Sequence, residues 1–264
     1  MLTSLLWHFS NISGQEGYIF GSIHLNLDGH EQVLKSLEPV ISNCDLMMTE
    51  VELNESDYFK VAHFINLLEG QSYQNLLGIK KWNKFSKLIN SKLGRDGVVN
   101  YNLKPIILLN LLSSKLSGYS VHDEHMDSRL YNLAKTRGIK TQGLEDLVTH
   151  YSYLNTIPIK DQLKSLLKAT KNLSTIKHQF DKIISAYKKQ DIKLIYKISR
   201  KQLGKWKKIM LVKRNFLMLN TLKSQLDQHK PFVCVGAAHL AGQYGLLNLL
   251  KKNGYKLKPV FTKH

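Results

Sequence analysis

An apolar run ending in Gly-x-x-His occurs twice in this chain, once near each end. Tyr18-Ile19-Phe20 leads into Gly21-Ser22-Ile23-His24, and Phe232-Val233-Cys234-Val235 leads into Gly236-Ala237-Ala238-His239. Short apolar runs stopped by glycine read as strands. Glycine lets the backbone turn sharply or approach a ligand closely. A histidine three residues later can then point across the sheet edge as a metal ligand or acid/base. In α/β sheets, sites form in the loops beyond the carboxyl ends of strands, so the pair marks a candidate site.

The rest of the chain supplies a sheet to carry those turns. Residues 5–9 pair with the run before Gly21, because 11–17 between them is turn chemistry. Residues 31–41 have helical spacing through Val33, Leu34, Leu37 and Val40. Residues 44–51 form the next core strand, and strand, helix, strand in this order suggests a βαβ unit. Residues 57–117 read as mostly helical, with interruptions near Gly70 and at 94–97. Residues 127–135 are a further helix and 140–144 a brief strand. Two or three long, basic, amphipathic helices are expected over 161–228. Pro231 ends them, and a short helix at 245–250 and a strand at 256–261 close the chain.

The expected architecture is α/β: a central mixed sheet built from N- and C-terminal strand segments, flanked by helices, with a large helical insertion in the middle. It reads as one domain over 1–264. Within it, 1–56 and 231–264 form the α/β core, 57–120 and 157–230 are mainly helical, and 121–156 is a helix–strand segment of the core.

The 264 residues can bury a sizeable core, and 43% hydrophobic residues describe an ordinary globular protein. Cys44 and Cys234 are the only cysteines, each in an apolar run, so no disulfide framework or Cys-based zinc site follows. The N-terminus shows no basic region followed by a long apolar one. The apolar stretch 105–112 is far short of the ~20 residues a spanning helix needs. The chain as written is therefore expected to be soluble and cytoplasmic; an export signal removed beforehand would leave no trace.

The 38 Lys and Arg against 20 Asp and Glu give a net charge of +18. Residues 157–230 carry 19 of those basic residues and 4 Asp, or +15. Such a segment could contact an anionic surface. Only 5 of the 38 basic residues are Arg, the residue that reads bases and phosphates bidentately, which argues against nucleic acid as the main partner.

Two carboxylates share the strand-end setting: Glu50 closes 46–49 and Glu145 closes 140–144. An acid at the end of a buried strand is costly unless paired, solvated or metal-bound. Taken singly, each is read as a rim residue in a salt bridge, and Arg214 as surface charge. Taken together, two His and two Glu suit zinc, manganese or a similar divalent ion with a position left for water. His122-Asp123-Glu124-His125 is dense but matches neither His-Glu-x-x-His nor His-x-x-Glu-His, and Glu124 reads as the cap of the following helix. There is no phosphate-binding Gly-x-x-x-x-Gly-Lys-Ser/Thr and no Gly-x-Ser-x-Gly elbow.

These segments together resemble the TraB/GumN family. Leu5-Leu6-Trp7 and 18–25 are similar to its opening, and 44–51 to its second strand with a terminal acid. Met126-Asp127, 133–135, Gly138 and Gly143-Leu144-Glu145 are similar to its middle motif, and Arg214-Asn215 to an Arg-Asn pair before the last strands. Residues 233–242, Gly245, Leu246-Leu247, Leu250, Gly254-Tyr255 and Pro259-Val260 resemble its C-terminal signature. The ordered set runs from Leu5 to Val260, and it is the order that is specific.

The family includes TIKI-type metalloproteases and is related to erythromycin-esterase-like and ChaN-like proteins. The resemblance implies a divalent-metal-dependent hydrolase acting on a peptide or other small acyl substrate, with manganese, cobalt or zinc as cofactor. It places metal ligands at His24, His239, Glu50 and Glu145, and catalytic roles at Glu50 and Arg214. Gly21, Ser22, Gly236 and Gly242 form substrate-binding or structural turns. Two departures stand out. The family's Pro-rich segment after the first His is replaced by Asn26-Leu27-Asp28-Gly29-His30. Many relatives are exported or membrane-attached, and neither feature is read here. Pheromone-shutdown factors also belong to the family, so the alternative is a non-catalytic peptide or small-ligand binding protein of the same fold.

Overall fold

Four parallel strands, continued by two antiparallel ones, organise the fold. A computed structural model of the chain describes residues 4–24, 30–52, 58–93, 101–116, 118 and 124–260. Their contacts divide the chain into two compact units, one of Met1–Leu53, Glu124–His150 and Lys182–His264, the other of Asn54–Asp123 and Tyr151–Asp181.

The first unit holds the sheet. Its strands are Leu6–Ser10 (β1), Glu16–Ser22 (β2), Leu46–Val51 (β3), Lys140–Glu145 (β4), Pro231–Gly236 (β5) and Lys256–Val260 (β6). They lie in the order β4-β3-β5-β2-β1-β6. Strands β4, β3, β5 and β2 run parallel, and β1 is antiparallel to both β2 and β6. The sheet is mixed, as expected, and the hairpin of β1 and β2 pairs Leu6 with Phe20 through Ser10 with Glu16. The expected βαβ unit is present as β2, His30–Ser42 (α1) and β3, but its two strands are not neighbours. β5 lies between them and pairs with both. Its slot is filled by a segment from the far end of the chain.

Burial explains why these segments are strands. Leu46, Met47 and Met48 on β3 and Phe232 and Val233 on β5 are all fully buried, the near-continuous apolar pattern of a parallel sheet covered on both faces. Val33, Leu37 and Ile41, spaced one turn apart on α1, are likewise buried. Phe20 stacks on Phe232 across β2 and β5, with ring centroids 6.4 Å apart, an arrangement worth about 0.5–1.5 kcal/mol beyond its area. Cys44 and Cys234 are free and buried. Burial pushes the Cys44 thiol up to about 12 and holds Cys234 higher than the usual thiol range, so neither is a nucleophile.

The basic stretch is more segmented than two or three long helices. It contains Ile159–Lys171, Leu173–Lys188, Ile192–Leu203 and Arg214–Lys223, with a 3₁₀ turn at Gly204–Trp206 and a π-helical segment at Lys208–Lys213. The breaks are local: Asn172 leaves helical geometry at φ −144°, Gln190 has φ 54° before the Asp191 cap, and Gly204 has φ 52°. The last helix of the unit, Leu246–Lys252, precedes β6.

The second unit is helical, with Tyr58–Ile65, Tyr73–Leu77, Ile79–Leu93, Pro105–Leu116, Ile159–Lys171 and the first part of Leu173–Lys188. Its core joins Tyr73, Phe85, Ile89, Leu108, Leu112 and Leu166. The expected interruption at 94–97 and the segment 26–29 lie outside the described residues. Among the described residues, no helix is long and apolar enough to cross a membrane.

Candidate active site

The carboxyl ends of β4, β3, β5 and β2 bring Glu145, Glu50, His239 and His24 to one edge of the sheet in that order. Ser22 is paired with Gly236 in the parallel register, so the two Gly-x-x-His turns leave adjacent strands side by side. Gly21 permits this closeness: a Cβ there would lie 2.7 Å from Leu240 Cδ1 and 3.0 Å from Ala237 Cα. Gly242, with φ +98°, would drive a Cβ to 2.4 Å from the Tyr196 ring, so the loop after His239 also requires glycine. Ser22 is buried.

Arg214 sits at the centre. Read singly as surface charge, it is instead 6% exposed, because Arg214–Lys223 packs over the sheet edge and the π-helical segment before it sets the chain's approach. Its Nε donates to both Glu145 oxygens at 3.2 and 3.0 Å, and its Nη2 donates to Glu145 Oε2 at 2.8 Å and Glu50 Oε2 at 2.5 Å. The Glu145 side chain is completely buried and Glu50 nearly so, correcting the rim reading of each. Glu50 Oε1 accepts the Gly236 N–H at 2.7 Å. Burial alone would raise both carboxyls. Arg214 and the surrounding histidines outweigh it, holding Glu50 well below the usual range and Glu145 below it.

The two motif histidines are held by their second nitrogens. His239 Nδ1 lies 2.5 Å from Asn215 Oδ1. The Asn215 amide nitrogen donates to the carbonyls of His239 at 3.3 Å and Tyr244 at 2.6 Å, so its oxygen must be the acceptor and His239 Nδ1 must carry the proton. The Nε2 lone pair then faces Arg214 Nη1 at 3.4 Å and Glu50 Oε1 at 3.8 Å. Burial lowers the His239 pKa to about 4, which keeps the ring neutral. His24 Nδ1 meets Asp127 Oδ1 and Oδ2 at 3.2 and 3.0 Å, and that carboxylate raises the His24 pKa to about 9. Both rings thus turn Nε2 away from the residue that orients them.

His150 Nδ1 lies 3.1 Å from Glu145 Oε2 and 3.0 Å from Arg214 Nη2. Glu50, Glu145 and His150 offer ligand atoms within 4.8 Å of one another, a Glu-Glu-His cluster that could hold an ion. Arg214 Nη2 contacts all three, donating to the Glu50 and Glu145 carboxylates and lying 3.0 Å from His150 Nδ1. Glu124 does not cap the next helix: His125 occupies that position, and Glu124 accepts instead from Asn132 at 2.6 Å. His122 and Asp123 lie outside the described residues.

His150 and Asp127 carry parts of this site that strand-end reasoning passed over, since both lie in the first turns of helices, Leu147–Asn155 and Met126–Thr136. Spacing gave one usable hint: His150 follows Glu145 by five residues, enough for the chain to turn from β4 into a helix.

With this geometry, the sequence profile of the TraB/PrgY/gumN family matches residues 5–259. Among curated proteins, the chain is similar to "Protein Ycf2" of Physcomitrium patens, 26% identical over 239 residues. That alignment covers 86% of this chain and 10% of the relative's length.

Proposed function

This chain belongs to the TraB/PrgY/gumN family, and on that premise we propose that it is a divalent-metal-dependent hydrolase, most simply a peptidase acting through a metal-activated water. The observation that carries the reading is the shared arrangement of His24 and His239. Each has Nδ1 committed to a helix residue, Asp127 or Asn215, so Nε2 is the nitrogen that remains for an ion. A ligand histidine anchored through its other nitrogen is the usual design of a metal centre. Glu50 lies 3.8 Å from His239 Nε2 and, with Glu145 and His150, offers ligand atoms within 4.8 Å of one another, oxygen and nitrogen donors of the kind that zinc, manganese and cobalt accept.

His24, His239 and Glu50 would hold the ion. When bound, it lowers the pKa of a water ligand and polarises a scissile carbonyl. Glu50 is kept ionised and is fixed by the Gly236 N–H and Arg214, so it offers a lone pair without reorientation. Glu145, with both oxygens on Arg214, fixes the guanidinium, and it would be the further carboxylate ligand. Arg214 Nη1, with its long 3.4 Å contact to His239, is placed to meet negative charge developing on a substrate oxygen. The substrate class is a peptide or other small acyl compound.

Screening the purified protein against a peptide library, with and without manganese, cobalt or zinc, tests this. Metal-dependent cleavage abolished by His239→Ala is the expected result. Peptide binding with no divalent-ion uptake at micromolar concentration supports the non-catalytic alternative instead.

A further inference from the structure

We propose that the exposed side of Ile192–Leu203, with the chain that follows it to Lys213, docks onto an anionic lipid bilayer. Between Ile192 and Lys213 the sequence carries seven Lys and one Arg and no Asp or Glu. The helix sorts its residues by side. Ile192 and Ile195 are buried, while Leu194, Lys197 and Lys201 follow one another at i+3 and i+4 spacing and are exposed. Past Gly204, Lys207, Lys208 and Lys213 are exposed as well. Lys193 and Lys205 are engaged with other groups, and Arg200 lies over the Tyr196 ring, 5.8 Å from its centroid. Among the described residues, no carboxylate pairs with Lys197, Lys201, Lys207, Lys208 or Lys213. These five like charges have no compensation within the fold, and a polyanionic surface supplies it.

Two features select lipid among polyanions. The charge is carried by lysine, which meets phosphates as a point charge, and not by the arginine forks that read base edges. Leu194, 40% exposed, lies in the same stripe as Lys197 and Lys201. A leucine among lysines gains free energy by entering the headgroup–acyl boundary and gains nothing against a phosphodiester backbone. A cluster of roughly four to eight basic residues on an amphipathic helix is the usual mark of anionic-lipid contact. The same helix packs on the Ala237–His239 turn, so a docked chain holds that turn about one helix diameter, roughly 10 Å, from the headgroups.

Sedimentation of the full chain with lipid vesicles tests the proposal and needs neither metal nor turnover. The expected result is binding to vesicles of equal parts phosphatidylglycerol and phosphatidylcholine, none to phosphatidylcholine alone, and weaker binding as salt rises. Each lysine at an anionic surface strengthens binding about fivefold, so Lys197→Glu, Lys201→Glu and Lys208→Glu together should weaken it at least about a hundredfold, with the far-ultraviolet dichroism unchanged. Leu194→Ser should weaken vesicle binding about threefold and leave retention on duplex DNA unchanged. A matched variant, Lys81→Glu with Lys84→Glu and Lys87→Glu on Ile79–Leu93 of the second unit, makes the same change in net charge and should weaken binding less than about tenfold. Equal loss in that variant overturns the proposal, since net charge alone then drives the contact. So do absence of binding to the phosphatidylglycerol vesicles and indifference to Leu194→Ser. Tighter retention on duplex DNA than on the vesicles at the same salt also overturns it, and identifies a nucleic-acid surface.

Discussion

Asn215 fixes the tautomer of His239. Its amide donates to two backbone carbonyls, so its oxygen, 2.5 Å from His239 Nδ1, can only accept, and the imidazole must leave Nε2 unprotonated. A buried amide thus decides which nitrogen of the imidazole the site can use. At His24 the Nδ1 partner is the Asp127 carboxylate, which has the opposite effect and raises that ring's pKa to about 9.

Replacing Asn215 by Ala therefore acts on the site through His239. Loss of the orienting acceptor should weaken divalent-metal affinity about 10–100-fold. Two carbonyls lose their donor as well, so stability should fall by about 1–3 kcal/mol. Calorimetric metal titration together with urea unfolding separates the two effects; unchanged metal affinity would remove Asn215 from the account.

The pH dependence follows from His239. Its folded pKa, near 4, lies below the ordinary value of 6.5, so the unfolded chain binds the proton first. Stability is then present above pH 6.5 and is lost as pH falls toward 4, by up to about 1.4 kcal/mol per pH unit for one proton. Glu50 and Glu145, lowered from 4.5, add a further loss as pH falls past that value. Nitrogen NMR should show a neutral ring with the proton on Nδ1 at pH 6. His239→Gln should flatten the decline in stability between pH 6.5 and 4.

Arg214 and Glu145 form a buried pair whose members are not individually dispensable. Arg214→Ala leaves two buried carboxylates without their cation and should destabilise by about 3–5 kcal/mol. Arg214→Lys should recover little, because a single ammonium cannot reproduce the forked contacts to both carboxylates. Combining Glu145→Gln with Arg214→Met should cost less than the sum of the single changes. Chemical denaturation of the four proteins measures that coupling, and strict additivity would contradict the clustered geometry.

The sequence exposed the parts of this structure that depend on short-range pattern. Glu50, Glu145 and His239 stood at strand ends because apolar runs stop there, and the family likeness added Arg214 and Asn215 as a pair. Two things depended on distant partners and stayed hidden. The insertion of β5 between β2 and β3 is decided by a segment that follows them by some 180 residues. The roles of Asp127 and His150 arise only when Met126–Thr136 and Leu147–Asn155 turn those residues toward His24 and Glu145. The burial of Arg214 was equally illegible, since a lone arginine among lysines carries no mark of the two acids that enclose it.

The most direct test of the central claim is the divalent-ion content of the purified chain, measured by mass spectrometry after equilibration with manganese, cobalt or zinc. The account predicts one tightly held ion per chain in the native protein, lost in both His24→Ala and His239→Ala while the fold is retained. Equal ion content in the native protein and the two variants, or none in any of them, would contradict it.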